Sequence, residues 1–467
     1  MAERLISEKG REKFVEDGHT YSYEKLSKDG ETRFWKCDRR STCKARIHIL
    51  GGRVTKRVNT HTHPGDAAKV EVLNAMTILR NRATNTQDQT ARVVAVATDN
   101  LTQAAQGALP RLDHMKRTVR RKRVANDAAP ANPATLADLE IPLEYTQYEK
   151  EPGLFEDFLL YDSGAPSGAN RMLIFSTERN MDLLSRSSEW FMDGTFDVSP
   201  PLFAQIYSIH GTHLGRTHPL VFALLPNKRR ATYESFFTEL KNITNLNPTS
   251  IVPDFELATI QASRAVFPNS RNSGCFFHLS QNVYRKIQEN GLQNHYASDA
   301  NFALQCKMIP ALAFVPSQDV SDAFEELSDY LPNVLQPVLD YFEDNYIGRP
   351  DRRGVRRNPL FAIELWNMHD RVRNGNARTT NCVEAWHRAI QCLIGEVHPT
   401  LWKFIKGLIR CQKLRDVELE QLLAGNPAPR PRPRYEALNR RISRIVEDFP
   451  NRTKVEYLRG LAHNLGF

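Results

Sequence analysis

The pattern of apolar and polar positions divides the chain into blocks with different predicted structure. Residues 14–63 read as short strands separated by turns, and residues 68–125 have the apolar spacing of helices. Residues 126–140 are rich in Ala, Pro and Asn, which is typical of a linker. A stiff Pro/Arg spacer at 425–434 and one last amphipathic helix near 435–463 are predicted to follow the main body of the chain.

The main body, residues 141–422, has the strongest strand and helix signals. Its pattern predicts three apolar strands and then helices that alternate with short strands, which is typical of an α/β layer fold with a mixed sheet. Residues 300–375 read as mostly helical and irregular. The predicted strands lie at 190–193, 202–210, 219–225, 250–253 and 275–277, and the predicted helices at 232–245, 256–266, 279–288 and 380–393.

Length and composition limit the class of protein. At 467 residues and 53.4 kDa the chain is expected to form two or three domains. Apolar residues make up 41% and charged residues 25%, which excludes wholesale disorder. The sequence has no run of 18 apolar residues and no apolar leader, so we expect neither a membrane span nor a secretory signal. Seven cysteines, a sparse and odd number, favour a reducing compartment, and we predict a soluble intracellular protein.

The positive charge is concentrated in the first quarter of the chain. Residues 1–127 contain 26 lysines and arginines against 15 acidic residues, whereas the rest of the chain contains 37 against 39. A basic domain joined to a nearly neutral body is the electrostatic pattern expected of a nucleic-acid-binding protein. A solubilising basic surface has the same charge, so charge alone leaves both interpretations open.

Two cysteines and two histidines form a cluster near the start of the chain. Cys37, Cys43, His61 and His63 have the spacing C-x5-C-x17-H-x-H. Two thiolates and two imidazoles complete the tetrahedral ligand set of a structural Zn²⁺ ion. His-x-His is expected to place both rings on one side of a strand, because alternate side chains share a face. The local apolar residues are too few to fold a domain unaided, so we predict bound zinc; buried cysteines and surface histidines are the alternative.

The residues around these ligands carry a family resemblance. The run from Phe14 through Gly18, Tyr21 and Trp35 to the two histidines is similar to a FLYWCH-type zinc finger, over residues 8–64. The resemblance implies a compact β zinc domain that binds DNA or protein. It also implies that the same two cysteines and two histidines are the zinc ligands.

A basic run ends the helical block. Leu112, Met115 and Val119 recur there at helical spacing, and residues 72–79 and 89–97 predict two further short helices, so a helix-turn-helix-like unit is one arrangement. A cationic helix neutralises phosphates and binds DNA with salt-dependent affinity. A nuclear localisation signal and a solvated charged face are the other interpretations. The candidate DNA-binding residues are Arg111, Lys116, Arg117, Arg120, Arg121, Lys122 and Arg123.

Carboxylates follow two of the apolar strands and recur on a later helix. Asp193, Asp254 and Glu384 would meet at one edge if the two strands lie side by side and the helix packs against them. Three converging carboxylates supply the hard oxygen ligands that two Mg²⁺ ions require. Each acid alone has a plainer interpretation, as a turn residue, a helix cap or a solvated side chain. Asp197 and Glu256 are near enough in sequence to be the ligands instead.

The order of these segments carries a second resemblance. The motifs DGTF, SIVPDFELA, GCFFHL and TTNCVEAWHR, in this order over about residues 185–395, are similar to the catalytic domain of Mutator-like element (MULE) transposases. The resemblance implies an RNase H-like fold with a helical insertion at 291–378. It further implies that Asp193, Asp254 and Glu384 form a catalytic DDE triad that binds Mg²⁺ or Mn²⁺.

Three further residues are candidate accessory groups. Cys275 and His278 resemble the paired cysteine and histidine that follow the second aspartate in this family. They have no obvious local partners for a metal, so a structural role is expected, with His278 close to the acidic edge and a candidate for phosphate contact. His387 lies one helical turn after Glu384 and is a candidate for contact with DNA or a metal ligand, with simple packing as the alternative.

Together these patterns predict a nuclear, DNA-binding, transposase-like protein of the α/β class, in which an RNase H-like mixed sheet with a helical insertion follows a small β zinc-binding domain and a helical DNA-binding segment. Structural Zn²⁺ and catalytic Mg²⁺ or Mn²⁺ are the expected cofactors. Double-stranded DNA is the expected partner, no membrane is expected, and homo-oligomerisation stays open. A domesticated, non-catalytic DNA-binding regulator and a zinc-dependent protein scaffold are the alternatives. The predicted domains are the zinc finger (8–64), the basic helices (68–125), the linker (126–140), the transposase domain (141–422), the spacer (425–434) and a carboxy-terminal helix (435–467).

Overall fold

The structure is a computed structural model in which the chain divides into two compact units, Met1–Pro130 and Ala131–Phe467. Of the helices in the described part of the chain, none has the length and apolar character that a bilayer crossing requires. The described residues are 5–7, 11–86, 88–126, 129–427 and 433–466.

The amino-terminal unit begins with an antiparallel sheet in which each strand pairs with the next along the chain. Tyr21, Trp35, Ile47 and Ile49 are buried together on one face of this sheet, because alternate residues of paired strands point the same way. The strands are β1 (Leu5–Ile6), β2 (Glu12–Glu16), β3 (His19–Leu26), β4 (Arg33–Cys37), β5 (Arg46–Leu50) and β6 (Arg53–Val58).

Helices follow the sheet: α1 (Ala67–Asn85), α2 (Thr90–Thr98), α3 (Gln103–Ala108) and α4 (Leu112–Asn126). The sequence predicted three, and α3 is the helix that the apolar spacing did not reveal, because it is short and Ala-rich. Leu79, Met115 and Val119 are fully buried where the helices meet. The sheet joins them through β1, since the Ile6 N–H donates to the Thr77 hydroxyl at 3.1 Å.

The carboxy-terminal unit is built on a mixed sheet. Its strands are β7 (Gln147–Glu151), β8 (Leu154–Asp157), β9 (Leu159–Asp162), β10 (Leu173–Phe175), β11 (Glu189–Thr195), β12 (Gln205–His213), β13 (Arg216–Leu225), β14 (Ser250–Val252) and β15 (Arg271–Asn272). The order across the sheet is β15-β14-β11-β12-β13-β10-β9, with β7 and β8 paired separately. Strands β11, β12 and β13 are antiparallel, whereas β14 is parallel to β11 and β15 is parallel to β14.

Two cores stabilise this unit. One lies between the sheet and α5, α6 and α7, and contains Leu184, Trp190 and Phe236. The other is almost wholly helical and contains Leu279 and Trp366. The helices are α5 (Glu178–Arg186), α6 (Arg230–Ile243), α7 (Leu257–Val266), α8 (Phe276–Glu289), α9 (Gln293–Ser298), α10 (Ala300–Ala311), α11 (Val320–Tyr330), α12 (Gln336–Phe342), α13 (Ile363–Trp366), α14 (His369–Arg373), α15 (Asn381–Ile394), α16 (Leu401–Leu423), α17 (Pro433–Glu447) and α18 (Lys454–Ala462).

Two sequence predictions of secondary structure in the carboxy-terminal unit are wrong. Residues 275–277 are not a strand, since α8 already begins at Phe276; periodicity cannot separate a short apolar strand from the start of a buried helix. The single carboxy-terminal helix is two helices, which are interrupted at Pro450 and restarted by a capping box at Thr453. Part of the predicted spacer, 428–432, lies outside the described residues.

Candidate functional site

The zinc-ligand candidates come from the end of one strand and from two irregular segments. Cys37 ends β4, Cys43 lies in the following turn, and both histidines follow β6. The prediction that His61 and His63 lie on a strand is wrong. The chain leaves β6 through Asn59, which has a left-handed backbone with φ of 60°, so the two rings are placed by turn geometry instead.

The four donor atoms nevertheless converge. They all lie within 4.8 Å of one another. Sγ of Cys37 is 3.2 Å from Nε2 of His63, and Sγ of Cys43 is 3.4 Å from Nδ1 of His61. Two buried thiols facing two imidazole nitrogens fit the donor chemistry of structural zinc, and the structure supports such a site at these residues.

The second nitrogen of each histidine is fixed by a neighbour. The Tyr21 hydroxyl lies 2.7 Å from Nε2 of His61, and the Pro64 carbonyl lies 2.9 Å from Nδ1 of His63. These contacts orient the rings so that the remaining nitrogens face the thiols, as outer partners do in metal sites. His19 was missed by the sequence reasoning, and its ring stacks on His61 with the centroids 3.5 Å apart. Its position two residues before Tyr21 on β3 was the available signal.

Electrostatics favour the ligating protonation state at Cys43 and His61, whereas burial raises the pKa of the Cys37 thiol. Burial raises the pKa of the Cys43 thiol, but N–H groups of Ala45 and Thr62 outweigh it and lower that pKa to about 7. Burial, together with His19 and His63, lowers the pKa of His61. A neutral imidazole and an accessible thiolate are the forms that bind zinc.

The basic run lies on α4, whose Met115 and Val119 are buried in the helical core. The guanidinium of Arg123 donates to the carbonyl oxygens of Thr86 and Asp88, so this side chain holds the loop between α1 and α2. The other candidates leave a cationic surface on one side of the helix. Its exposed members on the helix are Lys116, Arg117, Arg120 and Arg121, and Lys122 is partly buried. Arg111 is exposed directly before the helix and pairs with Asp113 at 3.5 Å.

The acidic candidates lie at one edge of the mixed sheet. The parallel pairing of β11 with β14 matches Phe191 with Val252. Asp193 lies two residues after Phe191, and Asp254 lies two residues after Val252. The same register therefore brings the two carboxylates side by side beyond β14. Asp193 is buried with 7% exposure, and its carboxylate accepts a hydrogen bond from the Gly194 N–H at 2.8 Å.

Glu384 reaches the same edge on α15. Its neighbour Val383 is fully buried in a small cluster with Phe191 and Val252, the residues that precede the two aspartates. The start of α15 is fixed by Cys275, whose sulfur accepts hydrogen bonds from the N–H and hydroxyl of Thr380, both at 3.2 Å. The GCFF segment therefore positions the helix that carries Glu384.

Burial and neighbouring charges raise the pKa values of the three carboxylates. Burial, followed by the charge of Asp254 and that of Glu384, raises the pKa of Asp193 to about 8. Burial and then Glu256 raise the pKa of Asp254 to about 6, and burial raises that of Glu384. Within the residues that the structure describes, the carboxylates do not converge on one point as the zinc donors do. Ligands that share two ions are spread across both of them rather than gathered around one.

Other polar groups surround this edge. Nδ1 of His387 lies 3.9 Å from Asp193, and burial followed by the charge of His278 lowers the pKa of His387 to about 4. Lys228, which the sequence reasoning missed, lowers the pKa of both aspartates. Its ammonium pairs with Glu256 at 3.0 Å. The signal for Lys228 was the basic run directly after β13.

The remaining candidates differ in position. Asp197 is exposed beyond the end of β11, and Glu256 is held by Lys228 and by the Tyr233 hydroxyl at 3.0 Å. His278 is partly buried, and its Nδ1 has no hydrogen-bond partner among the described residues. Asp197 is therefore solvent-facing, whereas Glu256 lies close enough to the acidic edge for its charge to raise the pKa of Asp254.

Comparison with known families matches both parts of the chain. Residues 5–63 match the FLYWCH zinc finger domain, and residues 189–282 match the MULE transposase domain. The chain combines a FLYWCH zinc finger with a MULE transposase domain. Both resemblances seen in the sequence are thereby confirmed. The matched part of the MULE domain contains Asp193 and Asp254 and ends before Glu384.

The FLYWCH finger also has a curated relative. FLYWCH transcription factor 3 from Caenorhabditis elegans is 43% identical over 56 residues. The match covers 12% of this chain and 13% of that protein. The similarity therefore concerns the finger and leaves the rest of both proteins uncompared.

Proposed function

We propose that this chain is a DNA-binding transposase-like protein that cleaves and joins DNA strands with a metal-dependent DDE triad. Asp193, Asp254 and Glu384 are the proposed ligands. The single observation that carries the proposal is the parallel register of β11 and β14, which sets the two aspartates next to each other at one edge. The match to the MULE transposase domain over both strands supports it.

The sheet supports an RNase H-like fold. Three antiparallel strands, β11 to β13, are extended on the β11 side by the parallel strands β14 and β15. Residues 291–378, the proposed helical insertion, separate this sheet from α15. The acids therefore come from β11, from the end of β14 and from a helix that returns to the sheet after the insertion.

The donor set fits hard divalent cations. Mg²⁺ or Mn²⁺ bound there would polarise the scissile phosphate and lower the pKa of the attacking water or 3′-hydroxyl. Asp193 and Asp254 have raised pKa values without a cation because burial and neighbouring carboxylates, Asp254 for Asp193 and Glu256 for Asp254, disfavour both charges. Burial and charge repulsion also favour binding of a cation, because its positive charge would remove the repulsion. Lys228 and His387 flank the acids and would orient DNA phosphate or the carboxylates themselves.

The amino-terminal unit is the proposed DNA anchor. It carries the excess positive charge of the chain and a cationic surface on α4. The FLYWCH finger, held by structural zinc, would present a second surface to DNA. A basic run of this kind and the proposed DNA-directed chemistry support a nuclear site of action.

A cleavage assay tests the triad. We expect the full chain to nick duplex DNA that carries candidate element ends in Mg²⁺ or Mn²⁺, and Asp193→Asn to abolish nicking while DNA binding is kept. Asp197→Asn is the matched control, because Asp197 is exposed only four positions away. Nicking that survives Asp193→Asn, or is lost with Asp197→Asn, shows that the triad is wrongly assigned.

A DNA-binding regulator without catalysis is the second candidate. The similarity of the finger to a protein named as a transcription factor favours it. It predicts salt-sensitive DNA binding by the wild-type chain and no nicking with either metal ion. Nicking by the wild-type chain that requires Asp193 excludes it.

A further inference from the structure

A turn rich in arginine, residues 348–357, projects from the helical part of the carboxy-terminal unit between α12 and α13. It contains five arginines within nine positions, from Arg349 to Arg357. Neither the sequence reasoning nor the proposed catalysis gives this turn a role. The hydrogen bonds, ion pairs and exposure of its residues indicate a binding role.

The base of the turn is firmly anchored. The guanidinium of Arg356 donates to the Glu343 carboxylate and to the Gly348 carbonyl, both at 2.7 Å, and lies over the Phe324 ring at 5.9 Å. Both partners in the Arg356–Glu343 pair are largely buried, with 16% and 17% side-chain exposure. An ion pair desolvated in this way holds one geometry better than an exposed pair does.

The tip of the turn is fixed by its own hydrogen bonds. The Asp351 carboxylate accepts from the N–H groups of Arg353 and Val355 at 2.8 and 3.1 Å. An antiparallel bridge joins Pro350 to Arg356. Such local bonds reduce the entropy that the turn would lose on binding a ligand.

The arginine side chains of the turn differ in whether they have partners. Arg349 is paired with Asp344. Arg352, Arg353 and Arg357 are exposed, and no ion pair joins them to the residues that the structure describes. The turn therefore uses Arg356 in its anchor and Arg349 in an ion pair, and it presents the guanidinium groups of the other three arginines to solvent.

The root of the turn packs against the segment that carries Asp254. Tyr346 and Phe361, which flank the turn in the sequence, have stacked rings with centroids 5.4 Å apart. The Phe255 ring packs against both, at 5.9 and 5.2 Å. Phe255 directly follows Asp254, so one side chain connects the root of the turn to the proposed metal ligand.

We propose that this turn binds the phosphodiester backbone of double-stranded DNA beside the acidic edge; the inference rests on the proposed function and assigns it a second DNA contact outside the amino-terminal unit. Guanidinium groups match phosphate oxygens in a bidentate geometry and are weakly hydrated. The aspartates repel DNA, and fixed cations at their border offset that repulsion along the path of the strand. Arg352 and Arg353 form the contact, and Arg357 extends it.

The salt dependence of DNA binding tests the turn. We compare the full chain with Arg352→Ala/Arg353→Ala on a long duplex over a range of salt concentrations. Loss of two phosphate contacts is expected to reduce the slope of log K against log salt by about 2. Arg352→Lys/Arg353→Lys keeps the charges and is expected to keep the slope, which separates charge from misfolding.

The matched control removes the same charge elsewhere in the unit. Arg440 and Arg444 are exposed on α17, and Arg440→Ala/Arg444→Ala is expected to leave the slope unchanged. An unchanged slope in the turn variant, or an equal change in the control, overturns the proposal.

Failure of the turn and failure of catalysis give different results. A slope that falls only in the turn variant, with no nicking by any form of the chain, keeps the DNA contact and removes the nuclease. Nicking that depends on Asp193, with an unaffected slope in the turn variant, keeps the nuclease and removes the contact. A wild-type chain that does not bind DNA overturns both.

Discussion

The zinc centre and the acidic edge both gather ligand residues, but they are assembled in different ways. The zinc donors lie within 27 residues of one another and come together inside one small sheet domain. Asp193 and Glu384 are almost two hundred residues apart and meet through strand register and one packed helix. The first arrangement depends on local turns, whereas the second depends on the whole carboxy-terminal unit.

The two centres also differ in whether neighbouring groups compensate the polar side chains. Each zinc-ligand histidine has a fixed outer contact, from Tyr21 or from Pro64. The acids instead have raised pKa values because burial and repulsion are not offset. A structural centre is closed by its surroundings, while a centre for reaction keeps unused binding capacity. Three predictions test this difference, in order of decreasing effect.

The largest effect is expected from loss of zinc. Cys37→Ser should unfold the FLYWCH finger, because structural zinc contributes about 10–16 kcal/mol of apparent binding free energy to a domain with few apolar residues. Hydrogen exchange should show loss of protection in strands β2 to β6 and unchanged protection in the carboxy-terminal sheet. Cys392→Ser is the control, since Cys392 is exposed on α15. Retained protection in zinc-free Cys37→Ser would show that the finger folds without metal.

A smaller, pH-dependent effect is expected at the acidic edge. The folded chain keeps a proton on Asp193 up to a pKa of about 8, whereas the unfolded chain loses it near the ordinary value of 3.8. Without metal, the contribution of Asp193 to the free energy of unfolding should therefore be largest at low pH. It should fall as the pH rises towards 8, by at most about 1.4 kcal/mol per pH unit. Asp254, with a pKa of about 6, adds to this loss of stability at pH values below about 6.

Urea unfolding measured at several pH values, with and without Mg²⁺, checks this expectation. Asp193→Asn should flatten the dependence, and Mg²⁺ should stabilise the wild-type chain at pH 8 more than the variant. Asp197→Asn should behave as wild type because Asp197 is exposed. Stability that rises between pH 4 and 8 in the wild type and not in Asp193→Asn would contradict the assigned sign.

The smallest effect on stability is expected from the packing that places Glu384. Val383→Ala removes a fully buried side chain between Phe191 and Val252 and should destabilise the unit by about 1–3 kcal/mol. Nicking should fall further than stability explains, because α15 loses its fixed position. Val417→Ala, at a site with 54% exposure, should cost under about 0.5 kcal/mol. Equal losses of nicking activity in the two variants would show that Val383 does not position Glu384.

Local chemistry allowed much of the candidate site to be predicted. The zinc ligands were found because thiols and imidazoles at short spacing have few other uses. The three acids were proposed because of the motifs around them, and their assignment as a catalytic triad stays a prediction. The β11 to β14 strands are long or strongly apolar, so their pattern was readable. Strands β7 to β9 were not predicted, because they are short and largely exposed or half-buried.

The sequence by itself determined the two domain resemblances, the zinc donor set and the uneven charge, because these depend on residue identity and spacing along the chain. Only the tertiary structure decided which charges are available. Arg123 is used to hold carbonyl oxygens, while the tip of the arginine turn is free. Likewise, only strand register and the packing of Val383 set the acids side by side. Contacts between distant segments follow from the packing of whole elements, and no local pattern encodes them.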